Sequence, residues 1–138
     1  MRLEMVALTF VVALAGSAVP GAAHHSVSAT FDTSREITIQ GVVTKIEWKN
    51  PHALFWVDVR SGDVAVSSWE LEMGPPNALK RIHGLDFIKV GDRVTVVLWQ
   101  AKDGARLGNT LDLTLPDGRV FTSSRDTRNG WEMIAPPK

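Results

Sequence analysis

The sequence predicts an all-β fold: a small OB-like barrel of five to six strands, with one short helix between the third and fourth strands. Between residues 37 and 121, apolar and polar residues alternate in short runs rich in β-branched side chains, which is typical of half-buried strands. One segment, GPPNALKRIHG at residues 74–84, instead carries proline at its start and glycine at its end, as short helices do. A β-sandwich is the alternative, but sandwiches usually need about seven strands.

The first predicted strand, residues 37–48, contains a glycine at which its pattern changes. On the sequence pattern, one face carries Ile37 and Ile39 before Gly41, and one face carries Val42, Ile46 and Trp48 after it. A bulge or bend at Gly41 would produce this change. A long first strand that coils at a glycine is suited to a small barrel.

The remaining strands follow from the same alternation. Residues 53–59 predict a second strand with Trp56 on the face opposite Phe55 and Val57, and residues 64–73 predict a third strand. Residues 92–100, 109–115 and 120–121 complete the set, the last two joined by a turn at Pro116-Asp117-Gly118. Pro75 and Pro76 begin the short helix and Gly84 ends it.

The chain divides into a leader, one domain and a tail. Residues 1–23 have the apolar run and the small-residue end, Gly21-Ala22-Ala23, of a signal peptide. An uncleaved membrane anchor is the alternative, but Gly16 and Pro20 interrupt the run, which is short for a bilayer. We therefore expect a cleaved signal peptide, a barrel domain at residues 24–121, and a tail at 122–138 that is mobile except at Trp131. The mature protein would be periplasmic or extracellular, with no attachment to the membrane.

The composition excludes several classes of function. The chain has 15 basic and 15 acidic residues, and the leader contains one of each, so 14 of each sign remain after cleavage. Nucleic acid is therefore not an expected partner. The absence of cysteine excludes disulfides, thiolate metal sites and thiol catalysis.

Several motifs occur in a fixed order along residues 24–121: His24-His25-Ser26, GVVTKIEW before Asn50-Pro51-His52, Pro76-Asn77-Ala78-Leu79, Gly91-Asp92, and Ala101-Lys102-Asp103-Gly104. In this the chain resembles the bacterial secreted proteins grouped as domain of unknown function 6152. The resemblance implies export and a small β-barrel-like domain, and it implies no particular activity. Pro75 departs from the pattern, because a serine or similar cap is expected before the helix.

The N-terminal histidines suggest one possible site, for a transition metal. Cleavage after Ala23 would give His24 a free amine beside its imidazole, and His25 adds a second ring. Such nitrogen ligands suit copper, nickel or zinc. His52 would complete a copper-like site if the N-terminal segment lay across the loop between the first two strands. The alternative is that the pair is a polar flank and that His52 fixes a turn, as His83 would complement a helix end.

The loops beside the tryptophans suggest a second possible site. In OB-like barrels, the loop between strands one and two and the loop between strands four and five border the usual binding face. This predicts a site for a partner protein or a small ligand at these residues: Trp48, Asn50, His52, Trp56, Lys102 and Arg106. Trp56 needs cover, from the N-terminal segment, from the tail or from a bound molecule.

No motif predicts catalysis. Glu70, Glu72 and Asp58 resemble the acids of a glycosidase only in residue type, and alternation places Glu70 and Glu72 on the solvated side of the third strand. The sequence has no nucleophile elbow, phosphate loop or HExxH. We therefore expect an exported, non-catalytic binding or accessory module, with metal binding as the alternative.

Overall fold

The computed structural model describes residues 27–62, 65–123 and 131–134. Its elements are, in chain order, α1 (Val27–Thr30), β1 (Phe31–Trp48), β2 (Ala53–Ser61), β3 (Ala65–Glu72), α2 (Pro76–His83), β4 (Arg93–Ala101), β5 (Leu107–Thr114), β6 (Val120–Ser123) and β7 (Trp131–Ile134). The all-β class and the short helix between the third and fourth strands are confirmed. The proposed signal peptide, residues 1–23, lies outside the described residues. Within the described part, no helix has the length and apolar character needed to cross a membrane.

β1 is long because it pairs with two strands in succession. Residues from Glu36 to Val42 pair with β4, and residues from Val42 to Trp48 pair with β2, both antiparallel. Gly41 lies at this exchange of partners, where a Cβ would overlap the carbonyl oxygen of Asp58 and the side chain of Val57. The close approach of two backbones is therefore what requires glycine here.

The change of face along β1 occurs after the predicted position. The register with β2 shifts between Val43 and Lys45, which makes Thr44 the extra residue of a bulge. Val43 is fully buried, two positions after Gly41, so the alternation continues through the glycine. The expectation that Gly41 forms the bulge, with Val42 facing inward after it, is therefore wrong.

Five strands close into a ring of paired strands. β2 pairs antiparallel with β3, and β4 pairs antiparallel with both β1 and β5. The last link is parallel and joins residues 70–72 of β3 to residues 107–109 of β5. This link closes the order β1-β2-β3-β5-β4 on itself, so each of these five strands has a partner on both sides.

Two further strands extend the sheet from β5, so the described residues form seven strands where five to six were expected. Leu111 has no partner on β4 and forms a bulge, beyond which residues 112–114 of β5 pair with β6. β6 then pairs with β7, which lies in the segment predicted to be a tail. The Trp131 indole packs against Gly74, where a Cβ would collide with its ring nitrogen. This contact holds β7 next to Gly74, two residues before the start of α2.

The core fills the ring and is closed by α2 and the segment after it. Its largest fully buried members are Phe55, Leu71, Leu79, Leu98, Leu113 and Phe121. Leu79 comes from α2, which begins after Pro75 without a side-chain cap and ends at Gly84, with φ of 76°. Phe87 stacks on Phe121 with ring centroids 4.1 Å apart, so the segment after the helix also packs into the barrel.

The close approach at Gly41 predicts an unusually costly substitution. We expect Gly41→Ala to lower the free energy of unfolding by about 3 kcal/mol or more, because the methyl group meets backbone that cannot move aside. Gly104→Ala is the matched control: Gly104 has φ of 80° but nothing within 4 Å of the added Cβ, so only the conformational cost of about 1–2 kcal/mol applies. Urea unfolding measures both, and equal losses would contradict the prediction.

Candidate functional site

The outward side of β2 and β3, with the adjoining residues of β1 and β5, forms a face of mixed aromatic, apolar and charged side chains. Cross-strand pairing brings these residues side by side. We call this surface the β2–β3 face: Lys45, Glu47, Leu54, Trp56, Glu70, Glu72, Leu107 and Asn109. Residues 49–52, the first loop, border it on one side and residues 102–106, the β4–β5 loop, on another.

Trp56 occupies the centre of the β2–β3 face. It pairs with Lys45 of β1 on one side and with Glu70 of β3 on the other. The Lys45 ammonium lies over the indole, 4.2 Å from the ring centroid, in cation–π geometry. Among the described residues, this lysine covers one face of the indole, and its side chain is itself 56% exposed.

Glu47 holds Lys45 in this position. Its carboxylate accepts from the Lys45 ammonium at 2.7 Å and from the Lys49 ammonium at 2.8 Å. The hydrogen bond from Lys45, followed by the one from Lys49, lowers the pKa of Glu47 from 4.5 to about 2. The carboxylate therefore stays charged throughout the physiological range, and the lysine over Trp56 keeps its anchor.

His52 and Asn109 meet at Glu72. The Asn109 amide donates to Glu72 Oε1 at 3.0 Å, and His52 Nδ1 lies 3.2 Å from Glu72 Oε2. A carboxylate oxygen accepts, so His52 Nδ1 is the donor in this contact. The parallel link between β3 and β5 makes the Asn109 contact possible, because it sets Asn109 beside Glu72.

Asn50 of the first loop and Trp48, which precedes the loop at the end of β1, lie in different surroundings. Asn50 is exposed and is followed by a cis peptide bond to Pro51. Trp48, in contrast, packs against the core and lies edge-on to Phe87, with centroids 5.8 Å apart. The structure therefore brings His52 and Trp56 onto one face and places Trp48 on the opposite, inward side of the sheet.

The β4–β5 loop is held by its own backbone and by the N-terminal segment. Lys102 Nζ donates to the Ser28 carbonyl at 2.6 Å, and the Lys102 N–H donates to the Thr30 carbonyl. Arg106 is exposed, and its carbonyl accepts from the Glu70 N–H at 2.9 Å. Arg106 thus borders the β2–β3 face, whereas Lys102 serves to attach α1.

The predicted copper site falls mostly outside the described residues, since His24 and His25 precede residue 27. Where the described chain begins, α1 is hydrogen-bonded to the β4–β5 loop rather than to the loop that carries His52. Among the described residues, no three His, Asp or Glu side chains group so as to hold a metal ion. Metal binding by His24, His25 and His52 stays a prediction.

Of the eight members of the β2–β3 face, only Trp56 was among the predicted site residues. Lys45 and Glu47 lie two positions apart on the outward side of β1 and form an ion pair. Their opposite charges at this spacing could have predicted the pair, because residues i and i+2 of a strand share a face. Asn109 had no local signal, because its contact with Glu72 depends on the pairing of strands far apart in the chain. Glu72 was expected on a solvated side, but its side chain is only 16% exposed.

Comparison with known protein families identifies a match over most of the chain. A family model described as "Family of unknown function (DUF6152)" matches residues 11–110, which include the β2–β3 face and both bordering loops. No curated protein and no solved structure matches the chain significantly.

The two lysines beside Glu47 are expected to differ in their effect on Trp56. Lys45→Met should raise the pKa of Glu47 towards 4.5, because it removes the largest cause of the shift, and it should also move the Trp56 indole resonance. Lys49→Met, the control, should raise the pKa less and leave that resonance in place. NMR titration of the Glu47 carboxyl measures the first effect, with the indole signal assigned through Trp56→Phe.

The lowered pKa of Glu47 determines how the stability of the domain changes with pH. The ion pairs contribute to stability above about pH 4.5, and this contribution is lost as the pH falls towards 2. A Glu47 carboxyl that titrates near 4.5 in the unmodified protein, or an indole resonance that moves equally in both variants, would contradict the arrangement.

Proposed function

The chain belongs to this family of unknown function, DUF6152, and we propose that it is an exported, non-catalytic binding module that recognises a partner protein through the β2–β3 face. Export is supported by the leader-like residues 1–23. A non-catalytic role is supported by a sequence without a nucleophile, phosphate-loop or metalloprotease motif.

The outward position of Trp56 carries the proposal. A tryptophan buries more apolar area than most side chains when it is covered, and tryptophans are enriched among residues that dominate binding energy. Here its cover is a lysine that is 56% exposed. An exposed cation–π contact contributes only about 0.5–1 kcal/mol, so a partner can displace the lysine at little cost.

The shape of the face favours a protein over a small ligand. Trp56 lies in a row of regular cross-strand pairs, with Leu54 and Leu107 beside the acidic residues Glu70 and Glu72. Small ligands are usually bound in concave sites, whereas a paired-strand surface offers the extended contact of a protein interface.

The charges around Trp56 indicate what the partner should present. Glu70 pairs across the strands with Trp56, and no ion pair to it occurs among the described residues. A basic side chain of the partner could replace Lys45 over the indole and meet the Glu70 carboxylate at the same time. We therefore propose a partner patch with arginine or lysine at its centre and apolar side chains around it.

Site-specific photo-crosslinking in the producing bacterium tests this function. Benzoylphenylalanine replaces Ser68, an exposed residue two positions before Glu70 on the outward side of β3, or Lys89 on the exposed segment after α2 as the matched control. We expect a discrete protein adduct from position 68 only, because the partner covers Trp56 and the neighbouring part of β3. Trp56→Ala should remove this adduct and Trp56→Phe should retain most of it, since phenylalanine keeps an aromatic surface.

Thermal unfolding of each variant shows whether the domain is still folded. A folded protein that gives no adduct at position 68, gives the same adduct at position 89, or keeps its adduct in Trp56→Ala would overturn the proposal.

A further inference from the structure

A groove lies where β1 exchanges β4 for β2 as its partner. Its volume is about 840 Å³, and its polar lining includes Gln40, Thr44, Asp58, Arg60, Arg93 and Thr95. This volume is within the range of about 300–1,000 Å³ that is typical of small-molecule sites. The groove adjoins the β2–β3 face along β2 but shares no residue with it.

The register of three strands explains why these side chains converge. Val42 pairs with Asp58 on one side and with Arg93 on the other, so β1 runs between a carboxylate and a guanidinium. Gln40 pairs with Thr95 one step along the same face, and Arg60 follows Asp58 by two positions on β2. Period-two alternation therefore directs all of these side chains to one side of the sheet.

The two arginines are free to take a ligand. Both are exposed, and within residues 27–62, 65–123 and 131–134 neither Arg60, Arg93 nor Asp58 forms an ion pair within 4.0 Å. With two guanidinium groups and one carboxylate, the groove carries one net positive charge. Gln40 and Thr95, which also line the groove, add neutral hydrogen-bond donors.

We propose that this groove binds a small oxyanion ligand, a molecule that carries carboxylate or phosphate groups. The planar fork of a guanidinium matches the paired oxygens of either group and donates two charge-assisted hydrogen bonds to it. Arg60 and Arg93 hold the anionic group, and Gln40 and Thr95 donate to its remaining oxygens. Asp58 accepts from a hydroxyl or amine on the ligand body and weakens the binding of anions that lack one.

This inference is independent of the proposed protein partner. The test is calorimetric titration of the folded chain with citrate and, separately, with inorganic pyrophosphate, at matched ionic strength in sodium chloride. Citrate probes carboxylate ligands, and pyrophosphate probes phosphate ligands. Backbone NMR shifts recorded during the same titrations locate the binding, and we expect the largest shifts at Gln40, Val42 and Thr95.

Four variants assign the binding to the groove. Arg60→Gln and Arg93→Gln should each weaken it about tenfold or more, the usual loss for a hydrogen bond to a charged group. Asp58→Asn should tighten pyrophosphate binding several-fold, because it removes a carboxylate that repels the anion. Arg81→Gln, an exposed arginine on α2, is the matched control and should leave binding unchanged.

Every outcome of these titrations either supports the proposed oxyanion site or overturns it. Saturable binding of either probe with this order of variants supports the site, and the probe that binds identifies the ligand chemistry. If Arg60→Gln unfolds the domain, Arg60→Lys keeps the charge, loses the fork and should still weaken binding. Absence of saturable binding by both probes, an equal loss in Arg81→Gln, or shifts outside the groove would overturn the proposal. Trp56→Ala should not change the affinity, which separates this site from the β2–β3 face.

Discussion

The barrel depends on one backbone contact, the approach of Gly41 to the carbonyl of Asp58. At this point β1 leaves β4 and begins to pair with β2, so one strand contributes to two sides of the ring. A side chain at position 41 would hold the two backbones apart and leave Val42 unable to pair with both neighbours. The parallel link between β3 and β5 can then form, because the curvature of β1 has brought β2 and β3 round to meet β5.

The same geometry produces both candidate surfaces. β2 alternates strictly, so its outward residues form one row that begins at Leu54, passes Trp56 and ends at Arg60. On one part of this row the bulge at Thr44 sets Lys45 opposite Trp56, and the aromatic face results. At Val42, which precedes the bulge, β1 lies between β2 and β4. The outward residues Asp58 and Arg60 of β2 form one wall of the groove there. A single bulged strand thus separates an aromatic surface from a cationic one.

Local patterns predicted most of the fold, and long-range contacts account for the rest. Alternation located the barrel strands, and the Pro75 and Gly84 signals located the short helix, because strand periodicity and chain termination are properties of neighbouring residues. The sequence could not show that Thr44, rather than Gly41, is the extra residue, since the bulge is defined only against β2. β7 was missed for the same reason: its position rests on Trp131 packing against Gly74 from a distant part of the chain.

The candidate sites divide in a similar way. His52 and Trp56 could be placed on a binding face from loop position and strand parity alone, whereas Trp48 packs inward with Ile46, the residue with which it alternates on the apolar face. Arg60 and Arg93 carry no motif and lie 33 positions apart, yet Val42 brings their strands together. An unpaired charge at an outward strand position costs little free energy in water. The alternation of apolar and polar residues therefore does not distinguish it from any other exposed residue. Only the strand pairing shows that Arg60 and Arg93 converge. That pairing depends on the position at which β1 changes its partner from β4 to β2.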